Sequence, residues 1–195
     1  LVRMQGKRVV LRDVTCEDLD RLYEYTYLAE DREHRNWNGP YIPIPERTRE
    51  VFRKDHQHYL DAVAADAVRI CLGIEIDGEL RGTVTRYWVD ENTKWLEIGI
   101  VLYDSRNWSG GYGTEAFQMW IDYLFAEMDD IVRLGIATWS GNERMMRLAA
   151  RCGMIEEGRM RKARIVRGDY YDAIKMGILR EEWEAKTSQS KQKSM

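Results

Sequence analysis

The residues best suited to chemistry lie between Trp95 and Ala126. Trp95-Leu96-Glu97-Ile98-Gly99-Ile100-Val101-Leu102 is an apolar run holding one carboxylate, the pattern of a buried strand. A polar loop separates it from Trp108-Ser109-Gly110-Gly111-Tyr112-Gly113-Thr114-Glu115-Ala116. Gly113, Ala116, Phe117, Trp120, Ile121 and Leu124 then recur on one face of a helix. Glycines at a helix start let a ligand approach the backbone. The N–H groups of the first turn and the helix dipole favour an anion there. Strand, glycine loop and helix together predict a phosphate cradle.

Two common phosphate binders fit poorly. A P-loop needs Lys-Ser/Thr after its last glycine, where this chain has Thr114-Glu115. Gly111-Tyr112-Gly113-Thr114-Glu115-Ala116 matches a dinucleotide fingerprint, but that site also needs an acid after the next strand to hold the ribose. The next strand, predicted over 131–138, ends in Trp139-Ser140-Gly141-Asn142 with no acid.

The elements that must position this stretch follow from pattern. With 195 residues, 44% hydrophobic and 32% charged, the chain has enough apolar content for one domain of ordinary size. It is read as a single domain over 1–183 with a polar tail over 184–195 expected to be disordered. Arg8–Asp13 is read as a strand, and Thr15 with Asp18 as the cap of a helix bearing Leu19, Leu22, Tyr23 and Thr26. All three prolines fall between Glu30 and Pro45, so that segment is a loop. Pro45 opens a second helix predicted to reach about Ala65, with Phe52, Tyr59, Leu60 and Val63 inward. Val68 to Ile76 alternates apolar and polar residues, Asp77-Gly78 signals a hairpin, and Leu80–Val89 returns toward the Trp95 strand. After the glycine helix come a strand, a helix capped near Asn142 and ended by Gly153, and a last hairpin over Met154–Arg164 and Tyr170–Leu179.

Net charge of −3, from 30 basic and 33 acidic residues, argues against a nucleic-acid or membrane-surface binder. No apolar run is long enough to span a membrane. Cys16, Cys71 and Cys152 form no metal-ligand or disulfide pattern, so no metal is expected and the cytoplasm is the expected compartment.

In this order the chain resembles the Gcn5-related N-acetyltransferases, and within them the branch that acetylates ribosomal-protein N-termini. Trp108-Ser109-Gly110-Gly111-Tyr112-Gly113 fills the family's acyl-CoA motif, with Ser109 where this branch usually has glycine. Asn142 and Arg151-Cys152-Gly153-Met154 resemble its second motif. Gly168-Asp169-Tyr170-Tyr171-Asp172 and Leu179-Arg180-Glu181-Glu182-Trp183 resemble its C-terminal end. The resemblance implies an acyl-CoA N-acyltransferase fold of the α/β (α+β) class. Its mixed, mostly antiparallel, twisted sheet has about seven strands with about four helices, and its central strand pair splays apart. It implies acetyl-CoA as co-substrate and direct acetyl transfer to a primary amine, a protein N-terminus or a small amine such as a polyamine. The pyrophosphate would meet Trp108, Ser109, Gly110, Gly111, Tyr112, Gly113 and Thr114. The pantetheine would lie along Ile100, Val101 and Leu102, with Asn142 holding its amide and the Val101 N–H serving as oxyanion donor. The tyrosine many relatives use as general acid falls on Ala149, and the serine sometimes used instead falls on Met145. A non-catalytic CoA-binding module is the alternative, and a homodimer is left open.

Glu97, a carboxylate among apolar neighbours, is the expected base. The competing reading pairs it with an arginine such as Arg86 on the adjoining strand. Glu33, Trp37 and Tyr41 are the acceptor candidates, since acids near Glu30 and Asp31 attract a cationic amine and the rings stack on it. Against that stands a solvated loop with two aromatics plugging the core. His34 is a weaker base candidate, whereas His56 and His58 are read as helix surface. The basic run from Arg159 to Arg167 is read either as a contact for an acidic acceptor or rRNA or, equally well, as a solvated edge guarding against strand pairing. Trp88, Trp95 and Trp120 are expected in the core.

Overall fold

Thr15 opens the first helix as the sequence predicts. Its Oγ1 accepts the Asp18 N–H while the Asp18 carboxylate accepts the Thr15 N–H. The computed structural model describes residues 1–193. Among them are strands β1 (Arg3–Gln5), β2 (Val10–Arg12), β3 (Cys71–Ile76), β4 (Glu79–Asp90), β5 (Trp95–Leu102), β6 (Arg133–Trp139), β7 (Ile155–Val166) and β8 (Asp169–Leu179). The α-helices are α1 (Cys16–Tyr23), α2 (Arg49–Asp55), α3 (Gln57–Ala64), α4 (Tyr112–Glu127), α5 (Glu143–Arg151) and α6 (Arg180–Lys193). The eight strands form a mixed sheet in the order β1-β2-β3-β4-β5-β6-β8-β7. That is one strand and two helices more than the family resemblance suggests.

Density of contacts divides the chain into two units. The first comprises Leu1–Arg86 and Gly99–Trp120, the second Tyr87–Ile98 and Ile121–Met195. In the first unit, β2 lies antiparallel between β1 and β3, with Leu11 opposite Met4 and Ile74. β3 pairs antiparallel with β4 through a turn whose Asp77 and Gly78 both have positive φ, the geometry a two-residue hairpin requires. The predicted first strand over 8–13 is shorter, because Gly6 N–H turns back to the Val9 carbonyl. Beyond α1 the helix widens into a π-turn over Glu24–Leu28. Leu19, Leu22, Phe52 and Leu80 form a core cluster, with Tyr27, Tyr59 and Tyr103 against it.

The predicted helix from Pro45 to Ala65 is two helices. Thr48, not Pro45, caps α2, and the chain breaks at His56 (φ −106°, ψ 6°) before α3 begins. Neither proline nor glycine marks that break, where the His56 N–H donates to the Phe52 and Arg53 carbonyls and the ring stacks on Phe52.

In the second unit β5 runs parallel to β6, with Glu97 opposite Gly135. β8 pairs antiparallel with β6 on one side and β7 on the other. α5 ends in a Schellman motif, with Met154 N–H to the Ala149 carbonyl and Gly153 N–H to that of Ala150. Two expectations fail here. Trp95 is exposed with the Lys175 ammonium over its ring, and Trp88 is half-buried beneath Lys94, although Trp120 is fully buried. The tail from Glu184, expected to be disordered, continues α6 to Lys193, while residues 194–195 lie outside the described ones. Trp183 anchors that helix by stacking on Phe125 at 5.1 Å and donating to Asp122 at 2.8 Å.

Candidate active site

The glycine loop in the first unit has the form its residues predict. Asp104 caps a short 3-10 turn at Ser105–Asn107, and the Trp108 indole N–H donates to the Leu102 carbonyl at 2.9 Å, tying the loop to the end of β5. Ser109 and Gly111 have φ of +62° and +83°, which turns the backbone twice before α4 starts. The first bond of α4 runs from the Glu115 N–H to the Gly111 carbonyl. The preceding N–H groups of its first turn therefore have no intrahelical acceptor. Ser109 and Gly110 are exposed, Gly111, Tyr112 and Thr114 half-buried, and Gly113 buried. Ile100, Val101 and Leu102 are half-buried. The concave backbone with N–H groups at its rim fits a pyrophosphate.

One residue at this loop carried no sequence signal. Arg8 donates to the Gly110 carbonyl, and its guanidinium sits 4.7 Å from the centre of the Tyr112 ring. A Cβ on Gly111 would meet Arg8 Nη2 at 2.6 Å. Glu115 fixes the segment from behind by accepting the Arg8 N–H at 2.9 Å. Burial raises the Glu115 pKa, but backbone N–H groups of Arg8, Val9 and Lys7 outweigh it and hold the carboxylate below its ordinary value. Arg8 therefore reaches the cradle from 102 residues away, with its guanidinium paired to the Glu115 carboxylate at 3.6 Å.

The expected acceptor residues close on one another. Glu33 accepts the Trp37 indole N–H and the Asn36 side-chain amide, each at 3.0 Å, within one 3-10 turn. Asp31 accepts the Ser105 N–H at 2.8 Å. Trp37 and Tyr41 are half-buried. The same unit contains a cavity of about 360 Å³ that sequence reasoning missed. Tyr27, Phe52, His56, Tyr59, Thr85 and Val101 are among its lining residues, so it reaches the strand expected to hold pantetheine.

In the second unit Glu97 is buried and both its oxygens are engaged. Oε2 accepts the Tyr87 hydroxyl at 2.7 Å, and Oε1 forms an ion pair with Lys175. The partner is thus a lysine on β8 rather than Arg86, whose guanidinium donates to the Arg69 and Val68 carbonyls. A Cβ on Gly135 opposite would press on the Met176 carbonyl oxygen at 3.0 Å, while Glu97 Cγ would lie in ordinary contact at 3.8 Å. Asn142 is buried and caps α5, its Oδ1 accepting the Met145 N–H at 3.2 Å. Ala149 is buried on the same helix.

Comparison with known proteins bears on the family. The acetyltransferase (GNAT) domain model matches residues 8–155. The Bacillus subtilis (strain 168) protein YdaF, provisionally named a ribosomal N-acetyltransferase, is 31% identical over 121 residues, 62% of this chain and 64% of YdaF. The match thus spans somewhat under two thirds of that relative. A solved ribosomal-protein-S5-alanine acetyltransferase from Vibrio fischeri superposes with TM-score 0.75 at 18% identity, over 94% of this chain and 99% of its own. A spermidine N-acetyltransferase from Vibrio cholerae, solved with CoA and spermine, gives TM-score 0.71 at 18% identity, over 91% and 99%. At such identities the likeness is one of fold. The match over residues 8–155, taken with the glycine loop at the end of β5, places the chain in the GNAT acetyltransferase family.

Proposed function

We propose that the chain transfers acetyl from acetyl-CoA to a primary amine by direct attack, with a protein N-terminus as the favoured acceptor. The observation that carries this reading is the doubly left-handed glycine loop with the Glu115-paired Arg8 beside it, an N–H-rimmed seat suited to a pyrophosphate. Trp108 to Thr114 hold that group, Ile100, Val101 and Leu102 present a strand edge to pantetheine, and Asn142 supplies an amide. The co-substrate contributes an acetyl group activated as a thioester. The amine must be neutral to attack, so its ammonium first loses a proton. The C–N bond then forms as the C–S bond breaks, the nitrogen gives up a second proton and the thiolate takes one, so each turnover releases one proton to solvent. The Val101 N–H is suited to steady the carbonyl oxygen as it gains charge.

The ribosomal-protein activities named for YdaF and the Vibrio fischeri enzyme favour a peptide terminus, and the spermidine enzyme puts polyamines in the test panel. Free Cys16, Cys71 and Cys152 are in keeping with a cytoplasmic setting. The test is thiol release from acetyl-CoA, read with DTNB, against peptides beginning with Ala or Ser, spermidine and aminoglycosides. Turnover with a peptide is expected. CoA binding by calorimetry with no thiol release for any amine would leave only a binding module.

A further inference from the structure

The acetyl-transfer reading needs a group to take the ammonium proton, and Glu97, the carboxylate expected to do so, is occupied, as is the acceptor candidate Glu33. Glu97 already accepts from Tyr87 and Lys175, and Glu33 from Trp37 and Asn36. We propose that His56 is the proton acceptor for the amine, and that the cavity it lines is the acceptor site; this rests on the acetyl-transfer reading above.

His56 sits where α2 breaks from α3, in the sparsely used region between helix and strand conformations that often places active-site residues. Its Nδ1 lies 2.8 Å from the Phe52 carbonyl oxygen. A carbonyl can only accept, so Nδ1 carries the hydrogen and Nε2 of the neutral ring keeps a lone pair. Nε2 has no hydrogen-bond partner among the described residues. The ring is clamped by stacking on Phe52 at 4.1 Å and by the edge of Tyr59 at 5.4 Å. A fixed tautomer, a free acceptor nitrogen and a held ring are the properties of a general base. Val101, the expected oxyanion donor, lines the same cavity.

The surroundings select the amine. The π-turn brings Tyr27 to the wall, where its hydroxyl donates to the Pro45 carbonyl at 2.8 Å. Aromatic faces suit the alkyl part and the cation before it is deprotonated. At the rim Asp55 is paired with Arg47 at 3.1 Å, so the cavity offers no surplus of carboxylates. That fits a monoamine and disfavours a polycation. The charged and titratable groups about His56 are Asp55 on α2, His58 and Tyr59 on α3, Arg47 before α2, Tyr27 on the π-turn and Tyr103 after β5. Burial pushes the Tyr59 phenol well up and that of Tyr103 up to about 12, so neither changes charge near neutrality. The step balances: the ammonium gives one proton to Nε2, the nitrogen loses a second as the amide forms, the departing thiolate gains one, and the imidazolium returns its proton to solvent.

The test compares wild type, His56→Gln and His58→Gln with saturating acetyl-CoA and two Ala-initiated peptides whose α-amines differ in pKa. Wild type and His58→Gln should share an acid limb of kcat/KM that stays at the same position for both peptides although their α-amines differ. His56→Gln should lose that limb, with kcat down about 10²–10⁴-fold and the KM for acetyl-CoA unchanged. External imidazole should restore part of the rate to His56→Ala. A His56→Gln profile that keeps the limb, with kcat within threefold of wild type, would overturn the assignment. Should the variants fail to fold, nitrogen NMR of the wild-type ring decides, and an Nε2–H tautomer refutes it. Wild type that binds CoA but acetylates no amine defeats the acetyl-transfer reading itself, a different outcome from either.

Discussion

At Glu97 two roles compete for one carboxylate. A base needs a free lone pair directed at the acceptor, whereas this side chain is buried and holds Tyr87 and Lys175 together across three strands. Glu97→Gln keeps the shape and removes the charge. Lys175 is partly exposed and can turn to water, so the loss is smaller than for a fully buried pair, about 1–3 kcal/mol. The expected result is a lower urea midpoint with kcat within a few-fold of wild type. A kcat collapse at unchanged stability would restore Glu97 as the base. The competing ion-pair reading was legible in the sequence, but its partner was not, because Lys175 lies 78 residues away on a strand whose register no local pattern sets. Ser109 has the opposite history. Its departure from the family's glycine is visible in the sequence, and φ of +62° supplies the reason glycine is preferred. Ser109→Gly should raise stability by about 1 kcal/mol, read by denaturant unfolding, and leave acetyl-CoA binding intact. A loss of stability would mean that the serine side chain makes up for the strained backbone.

At the scale of elements, the approach of β4 to the chain around Val101 depends on Gly82. A Cβ there would collide with the Val101 carbonyl oxygen and lie 2.9 Å from Leu102 Cδ2. Because one partner is backbone, the strand itself must move. Gly82→Ala should therefore raise the KM for acetyl-CoA about tenfold or more while far-UV circular dichroism stays near wild type; an unchanged KM would show that the strand edge does not hold the donor. Elements with strong local signals were readable: the capping box at Thr15, the Asp77-Gly78 turn and the apolar face of α4, on which Ala116, Phe117, Trp120, Ile121 and Leu124 are fully buried. Those set by distant packing were not. The break at His56 lies in a polar run without a breaker, so the cavity could not be foreseen. The Ser, Gln and Lys content past Glu184 reads as disorder, yet Trp183 anchors that segment to Phe125.

Across the whole molecule, acid sensitivity should arrive in two steps. Glu75 is held below its ordinary value chiefly by Arg3 and then Arg12, and Asp104 chiefly by Arg106. Such carboxylates stabilise above the unfolded pKa and lose that contribution as pH falls through their lowered folded values. His34 acts earlier. It is buried, its Nδ1 has no partner among the described residues, and its ring meets Tyr103 edge-on at 4.9 Å. Burial, with Arg35 and Arg32 beside it, lowers its pKa from 6.5 to about 4 despite Asp31. Between about pH 4 and 6.5 the unfolded chain therefore binds the extra proton, and stability rises with pH through that window. The expected loss on going from pH 7.5 to 4.5 is on the order of 2 kcal/mol from this residue. His34→Phe keeps a ring against Tyr103 and removes the titration. Urea unfolding of that variant should show a flatter dependence between pH 4.5 and 6.5 than wild type, and equal slopes would mean that His34 is protonated in the folded protein. Because His34 stays neutral down to about pH 4, it does not supply the kinetic limb assigned to His56, and the two histidines separate by measurement. One is read in the unfolding free energy and the other in kcat/KM.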